Sequence, residues 1–317
     1  QLRAGGRRIL LTASAVELSY GVNMDMLRDK CATFCNMREK PAKQFGQTEL
    51  VLNNRADALP LFAALANRNS RSTMLNDSSS RSHCFVTLTL LEAEGPAGLE
   101  TVRESRLQFV DMAGSERLKD AHGNLVGFDN AGAMEGLMIN FSLILLSQCI
   151  RDVARSKKPR EMSFRKYMVD LVFLLQASLT GDARTVLYVT LHQSKECEGQ
   201  SYNACDFGNR FSTIRTKPQR VKASKAAGLL REAESLRTEC EAALSRGVAS
   251  KKVRAMREAQ LRGAQQTIAS LYAVLSNRCD LVSAAGPKLA RGATERQLSG
   301  AATKAQGEHA RARRPSV

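Results

Sequence analysis

The sequence predicts an α/β fold in which a central, mostly parallel or mixed β-sheet carries helices on both faces and is followed by a helical segment. Four segments have the alternating or β-branched apolar character of strands, and helix-like segments lie between them. Strands interleaved with helices favour a sheet that is covered on both sides. A chain of 317 residues is long enough to bury such a core.

The predicted elements follow one another along the first two thirds of the chain. The strands are RRILLTASAVEL (7–18), SHCFVTLTLLEAE (82–94), SRLQFVDMAG (105–114) and RTVLYVTLH (184–192). The helices are ADALPLFAALANR (56–68), GAMEGLMINFSLILLSQCIRDVARS (132–156) and VDLVFLLQASL (169–179). One face of the longest helix is indicated by a spacing of three and four among Leu137, Asn140, Phe141, Ile144, Leu145 and Gln148.

The last third of the chain changes character after residue 215. Residues 216–228 are basic and contain Pro and Gly, which is typical of a linker. Residues 229–278 contain two short apolar runs of helical spacing, so they predict either a short coiled coil that forms a homodimer or a helix folded onto the domain. Residues 279–317 are small, polar and basic without periodicity, and are predicted to be disordered.

Charge and composition limit the classes of partner. The net charge is +16, and residues 216–317 hold 20 Lys or Arg against 8 Asp or Glu, so the excess lies in the C-terminal third. Such a balance favours an acidic partner. The sequence argues against a nucleic acid as that partner, because the basic region has neither interleaved aromatic residues nor a groove-reading motif. No apolar run is long enough for a membrane span, and no signal peptide is visible.

The eight cysteines argue against a metal centre. They form no C-x-x-C pair, and no histidines lie at zinc-finger spacing. Cys31 and Cys35 lie four residues apart, but no second pair accompanies them. The cysteines are therefore interpreted as buried, reduced thiols of a cytoplasmic protein.

Two polar clusters beside predicted strands indicate a phosphate site. Asp111 ends an apolar strand and is closely followed by Gly114, at the edge where α/β folds bind ligands. A carboxylate there can hold Mg²⁺ through its water shell, and a glycine lets a backbone N–H approach a phosphate oxygen. The other cluster, NDSSSRSH, offers the hydroxyls of Ser79 and Ser80 to Mg²⁺ or phosphate, and Arg81 can pair with a carboxylate such as Glu116.

Taken together, these clusters resemble two motifs of kinesin motor domains. NDSSSRSH is similar to the first switch motif, Asn-x-x-Ser-Ser-Arg-Ser-His, and VDMAGSER to the second, Val-Asp-Leu-Ala-Gly-Ser-Glu-Arg. Other stretches match in the same order: VELSYGVNMDML, NRNSRSTMLN, INFSLILLSQCI, ASLTGDARTVLYVTL and CDFGNRFSTI. The resemblance covers about residues 8–215, and the first domain is placed at residues 1–215.

The resemblance implies a P-loop NTPase fold, ATP and Mg²⁺ as cofactors, and a set of residue roles. Ser79 and Ser80 would lie at the nucleotide, Ser80 on Mg²⁺, with Asp111 acting on the water shell of the metal. Gly114 would sense the γ-phosphate, and Arg81 with Glu116 would close around the attacking water. These roles suit phosphoryl transfer, which needs positioning and charge neutralisation more than covalent help.

The resemblance also implies a microtubule-binding surface. In the family the helix containing INFSL and the loop after it face tubulin, and here that loop is basic. Basic side chains would speed encounter with acidic tubulin. The candidate residues are Arg155, Lys157, Lys158, Arg160 and Arg165. The implied location is the microtubule cytoskeleton of the cytoplasm.

Departures from the family pattern limit what this chain is expected to do alone. The Gly-x-x-x-x-Gly-Lys-Ser/Thr phosphate loop is absent from the sequence, so the chain is interpreted as the C-terminal portion of a motor domain and is expected to bind ATP weakly. The stretch after Glu116 is longer than usual, and Pro-Tyr-Arg-x-Ser-Lys-Leu-Thr survives only as SFRKYMVDLV. The prediction is a kinesin-like motor that couples ATP hydrolysis to movement along microtubules. The alternative is a non-hydrolysing kinesin-like microtubule-binding or scaffold protein.

Overall fold

A computed structural model describes residues 8–19, 23–28, 31–36, 43–74, 82–114, 131–248 and 250–276. The strands are β1 (Arg8–Leu18), β2 (Asn23–Asp25), β3 (Ala32–Asn36), β4 (Lys43–Phe45), β5 (Leu50–Val51), β6 (His83–Glu94), β7 (Thr101–Asp111) and β8 (Ser224–Lys225). The helices are α1 (Leu59–Met74), α2 (Ala131–Arg155), α3 (Asp170–Leu174), α4 (Gln176–Thr180), α5 (Glu198–Ser212), α6 (Ala226–Ser245) and α7 (Lys251–Ser276). The predicted tail, residues 279–317, lies outside the described residues.

Three long strands form the centre of the sheet. The sheet has eight strands in the order β4-β3-β2-β1-β6-β7-β8, with β5 paired to β1. Of the central strands, β1 pairs with β6 along its whole length, and β6 and β7 form a hairpin. The turn of this hairpin contains Gly95 and Gly98, whose φ angles of 105° and 83° suit glycine. The strands predicted over 7–18, 82–94 and 105–114 are therefore present.

The described pairings correct one part of the predicted fold. The α/β class is confirmed, but every pairing among the described strands is antiparallel, where a mostly parallel or mixed sheet was expected. The direct connection of β6 to β7 by a short turn makes that pair antiparallel, since a parallel pair needs a long crossover.

The fourth predicted strand, residues 184–192, is extended but unpaired among the described strands. Val186 and Tyr188 on it are 73% and 86% exposed. Its other face packs on α5, where Val189 approaches Gly208 so closely that a Cβ on the glycine would lie 2.8 Å from Val189 Cγ2. Alternation thus predicted the conformation of this segment but not a partner strand.

Helices cover both faces of the sheet, as predicted. Successive side chains of a strand point to opposite faces. On one face, Val16 and Phe85 pack with α2, α3 and α5 in the largest core cluster. On the other face, Ala13 and Ala15 pack against α1. The described helices include none that is both long and apolar enough to cross a membrane.

The C-terminal helices fold back onto the sheet. α6 and α7 pack against each other, and Leu271 and Val274 of α7 are buried with Leu10 and Leu91 of the sheet. Much of the apolar face predicted for residues 229–278 is therefore covered within the chain. A homodimer through this segment remains a prediction.

His83 joins the start of β6 to two other parts of the fold. It is 2% exposed, and its Nδ1 lies 3.1 Å from the Ala113 N–H, which donates to it. Because Nδ1 accepts, Nε2 carries the proton and donates to Ser142 Oγ of α2 at 2.9 Å. Burial, followed by the charge of Arg68, lowers the pKa of His83 to about 4. The neutral ring is thus a structural hydrogen-bonding group.

The burial of α2 yields a paired prediction about stability. Ile150 is 1% exposed and Ile144 is 61% exposed on the same helix. Ile150→Ala should lower the free energy of unfolding by about 2–5 kcal/mol because it removes packed methylene groups and leaves a cavity. The matched variant Ile144→Ala should change it by less than about 0.5 kcal/mol. Urea denaturation followed by circular dichroism measures both, and similar losses in the two variants would contradict the packing described for α2.

The lowered pKa of His83 yields a prediction about pH. The folded state disfavours the protonated ring, so the contribution of His83 to stability is fully present above its unfolded pKa of about 6.5. It is lost as the pH falls from there toward the folded value of about 4. The unfolding free energy of the wild type should therefore exceed that of His83→Gln at pH 7. The difference should shrink by up to about 3 kcal/mol by pH 4. Urea denaturation over this pH range tests it, and a constant difference would show that the ring does not titrate in this way.

Candidate nucleotide switch site

The structure describes two of the predicted nucleotide-site residues. Asp111 is the last residue of β7, and Gly114 follows it in an irregular segment. Ser79, Ser80, Arg81 and Glu116 lie outside the described residues. The described parts of the two motifs are Ser82 and His83 of the first, and residues 110–114 of the second.

The two predicted motifs reach the same end of the sheet. In the pairing of β6 with β7, Cys84 lies opposite Asp111. The start of β6, where the first motif ends, is therefore adjacent to the end of β7, where the second begins. The hydrogen bond from Ala113 to His83 joins the two chain segments once more, just beyond the paired residues.

A buried arginine that was not predicted as a site residue connects these strand ends. Arg68 of α1 lies with its Nη1 2.7 Å from Asp111 Oδ2 and its Nε 3.3 Å from Glu17 Oε1. Its Nη2 donates to the carbonyl oxygen of Ser82 at 3.0 Å. Ser82 Oγ in turn donates to Glu17 Oε1 at 2.6 Å. One guanidinium thus binds the ends of β1 and β7 and the residue before β6.

The two partners of the Arg68–Asp111 ion pair differ in burial. The Arg68 side chain is 7% exposed, whereas the Asp111 side chain is 71% exposed. Burial alone would lower the pKa of Arg68, but the hydrogen bond and charge of Asp111 and the charge of Glu17 outweigh it and leave the pKa raised. Arg68 is therefore permanently charged, and it needs these carboxylates because an unpaired buried charge is costly.

The arrangement leaves a carboxylate presented to solvent at a fixed position. One oxygen of Asp111 is bonded to Arg68, while most of the side chain is accessible. Carboxylate oxygens are the ligands that Mg²⁺ prefers, and the ion usually retains several waters. The donor type, exposure and fixed position of Asp111 therefore fit a hydrated Mg²⁺. The described residues contain no cluster of three or more His, Cys, Asp or Glu that could hold a metal directly.

The thiol beside the site is not reactive. Burial raises the pKa of Cys84 to about 11, and its Sγ lies 3.6 Å from Met26 Sδ. Burial likewise raises the pKa of Cys149 to about 12. All seven described cysteines are free thiols. The predicted burial is present at Cys31, Cys84, Cys149 and Cys240, whereas Cys35 and Cys197 are partly exposed and Cys205 is exposed.

The predicted basic loop lies at the end of α2, and all five of its candidate residues are exposed. Two of them are engaged within the chain. Arg160 pairs with Asp182 at 2.7 Å and donates to the Lys217 carbonyl, and Lys158 pairs with Glu161 at 3.0 Å. Arg155, Lys157 and Arg165 form no ion pair with any other described residue. The positive charge available to a partner is thus concentrated on these three side chains.

Sequence reasoning missed Arg68 and Glu17 because their contacts join residues 43 and 51 positions apart. A signal was present: Arg68 falls within NRNSRSTMLN, one of the stretches that resembles the family. When a helix packs on a sheet, a charged side chain that faces the sheet needs a partner of opposite charge. Asp111, already predicted as a site residue, is such a partner for Arg68.

Comparisons with known proteins agree with this geometry. The family model for the kinesin motor domain matches residues 3–214. The human kinesin-like protein KIF15 is 32% identical over 219 residues, covering 67% of this chain and 15% of that protein. The kinesin-like protein klp-19 of Caenorhabditis elegans is 31% identical over 252 residues, covering 77% of this chain and 22% of its own length. The chain thus spans less than a quarter of the length of each of these relatives.

Solved structures show the same fold. A fast kinesin superposes with a TM-score of 0.56 at 21% identity, covering 70% of this chain and 61% of that chain. A Kar3Vik1 motor and motor homology domain superposes with a TM-score of 0.51 at 23% identity, covering 68% and 54%. The match to the family model covers most of the chain and includes both polar motifs and helices α1 to α5. This chain belongs to the kinesin motor domain family.

Proposed function

We propose that this chain is part of a microtubule motor in which ATP hydrolysis is coupled to movement. It would supply the nucleotide-sensing strand ends and the microtubule-binding loop. The observation that carries the proposal is the Asp111 carboxylate, held by buried Arg68 at the end of β7 beside the residue that precedes β6. Family membership supports the nucleotide and Mg²⁺ as ligands of this end of the sheet.

The proposed roles at the nucleotide follow from these anchors. Ser80, with Ser79 beside it, would bind Mg²⁺, and Asp111 would hold the water shell of the ion. Gly114 would contact the γ-phosphate, and Arg81 would pair with Glu116 around the attacking water. The bound Mg²⁺ would supply charge neutralisation for the phosphates. The residues of this chain would do the positioning, since Ser82 and Ala113 are fixed by Arg68 and His83 close to these positions.

The same contacts suggest how nucleotide state would reach the microtubule surface. His83 bonds both to Ala113, near Gly114, and to Ser142 of α2. α2 continues to Arg155, where the basic loop begins. A change in the segment after β7 would therefore act on the helix that leads into the proposed microtubule-binding residues. This is a packed connection between two sites through one buried ring.

Charge reversal in the loop tests the proposed microtubule contact. Lys157→Glu should weaken cosedimentation with microtubules about fivefold or more, because it replaces attraction to an acidic surface by repulsion. The loss should shrink as salt is raised, since exposed charges are screened. The matched control is Lys252→Glu, which makes the same change at an exposed position in the first turn of α7. It should leave the affinity unchanged.

Microtubule binding and phosphate release together distinguish the two functions. Binding that depends on Lys157, together with phosphate release that rises on adding microtubules, supports a motor. Because this chain lacks the Gly-x-x-x-x-Gly-Lys-Ser/Thr loop, the release assay is made with the phosphate-loop segment of a kinesin relative joined ahead of it. Binding without stimulated release then assigns the chain to the non-hydrolysing, microtubule-binding alternative. Absence of binding by the wild-type chain at low salt would overturn both.

A further inference from the structure

The segment between α5 and α6 is bonded to the domain only through main-chain and long-range polar contacts. The Lys217 N–H donates to the Gly181 carbonyl at 3.0 Å, and the Lys217 carbonyl accepts from Arg160 Nη2 at 2.8 Å. Arg103 Nε donates to the Val221 carbonyl at 3.1 Å. β8 adds to the edge of β7, and the Ala226 N–H donates to the Glu100 carbonyl at 2.9 Å. All side chains of residues 215–225 are exposed. The segment therefore gains little from apolar burial, and each of its hydrogen bonds contributes only about 1 kcal/mol.

The helix that follows this segment is attached firmly to the sheet. Ala226, the first residue of α6, is 2% exposed and lies in one apolar cluster with Val102 of β7 and with Leu271 and Val274 of α7. Arg8 fastens the end of α7, because its Nη1 donates to the Leu275 carbonyl at 2.7 Å. The C-terminal end of the connecting segment is thus held where α6 and α7 meet the sheet.

A separate contact holds the middle of α7 to the edge of the sheet formed by β3 and β4. Arg262 donates to the carbonyls of Ala32 at 2.9 Å and Gly46 at 3.3 Å. Gly46 has a φ of 88°, and a Cβ on it would lie 2.6 Å from the Cβ of Ala259. Only glycine allows this distance, so α7 packs directly against the backbone of the residue after β4. The α6–α7 hairpin is therefore anchored at two places well separated along α7.

We propose that the α6–α7 hairpin keeps residues 216–225 docked on the domain, with Lys217 at Gly181 and with Val221, Ser224 and Lys225 at β7. The bonds of the segment itself are few and exposed, so its position depends on the helices that follow it. Under this proposal the segment is released when α7 leaves the sheet, which exposes the cluster around Leu271. The hairpin lies beyond residues 3–214, which match the family, so this coupling is a property of the C-terminal region of this chain. It does not depend on the proposed motor activity.

Hydrogen exchange of the whole chain tests this coupling. Leu271→Ser should speed exchange of peptides that contain the Lys217 and Ala226 amides at least tenfold, because it weakens the seating of α7. The matched control is Tyr272→Ser on the same helix, where the side chain is 48% exposed. It should leave these amides at the wild-type rate. Peptides from the core between Leu146 and Val172 report on global unfolding and should be unchanged in both variants.

A second variant separates the coupling from local packing. Arg262→Met removes the contacts to Ala32 and Gly46, far along α7 from the segment. If the hairpin acts as a unit, this variant also speeds exchange at Lys217 and Ala226 while the core peptides stay protected. Unchanged exchange at these two amides in both variants overturns the proposal. Equal acceleration of segment and core in both variants overturns it as well, since the hairpin would then not open separately from the domain.

Discussion

The buried guanidinium of Arg68 is the interaction on which the candidate site depends. It enters from α1 and bonds to Glu17, Ser82 and Asp111, which belong to the ends of three neighbouring strands. A charge at 7% exposure is stable in the fold only while its partners are in place. The position of α1 on the sheet, the register of the strand ends and the orientation of Asp111 are therefore linked. A shift in one of them leaves a buried charge with fewer partners.

The network around Arg68 and His83 holds the residues from which the proposed switch segments start. Both motif segments leave the sheet next to residues that are bonded in the folded core, Ser82 for the first and Ala113 for the second. Nucleotide-dependent motion would begin beyond these two points, where the proposed roles of Ser80, Arg81 and Glu116 lie. His83 extends the same connection to α2, the helix that leads into the basic loop.

The sequence was sufficient where a pattern is local. Alternation located β1, β6 and β7, and helical spacing located α2, because these patterns follow from the side chains of one element. The face predicted for α2 is wrong in part, since Phe141 and Ile144 are 47% and 61% exposed whereas the buried side chains include Leu146 and Ile150. The sequence was insufficient where the structure of a segment depends on the strand or helix that packs against it. Residues 184–192 alternate as well as β6 does, yet they are unpaired among the described strands. The apolar spacing of residues 229–278 predicted a covered helix face but not whether the sheet or a second chain covers it. Burial of Leu271 and Val274 against Leu10 and Leu91 identifies the sheet as one cover.

The site shows the same division. The motifs singled out Asp111 and its neighbours because their residue types and order are specific, whereas Arg68 depends on the folded chain to reach Asp111 across 43 positions. A double-mutant cycle of Arg68→Met with Asp111→Asn, measured by urea unfolding, tests that link most directly. The account predicts a coupling of about 1 kcal/mol, since contacting charges in one network are not additive. Additive effects, with coupling below about 0.3 kcal/mol, would show that Arg68 does not hold Asp111 and would contradict the account.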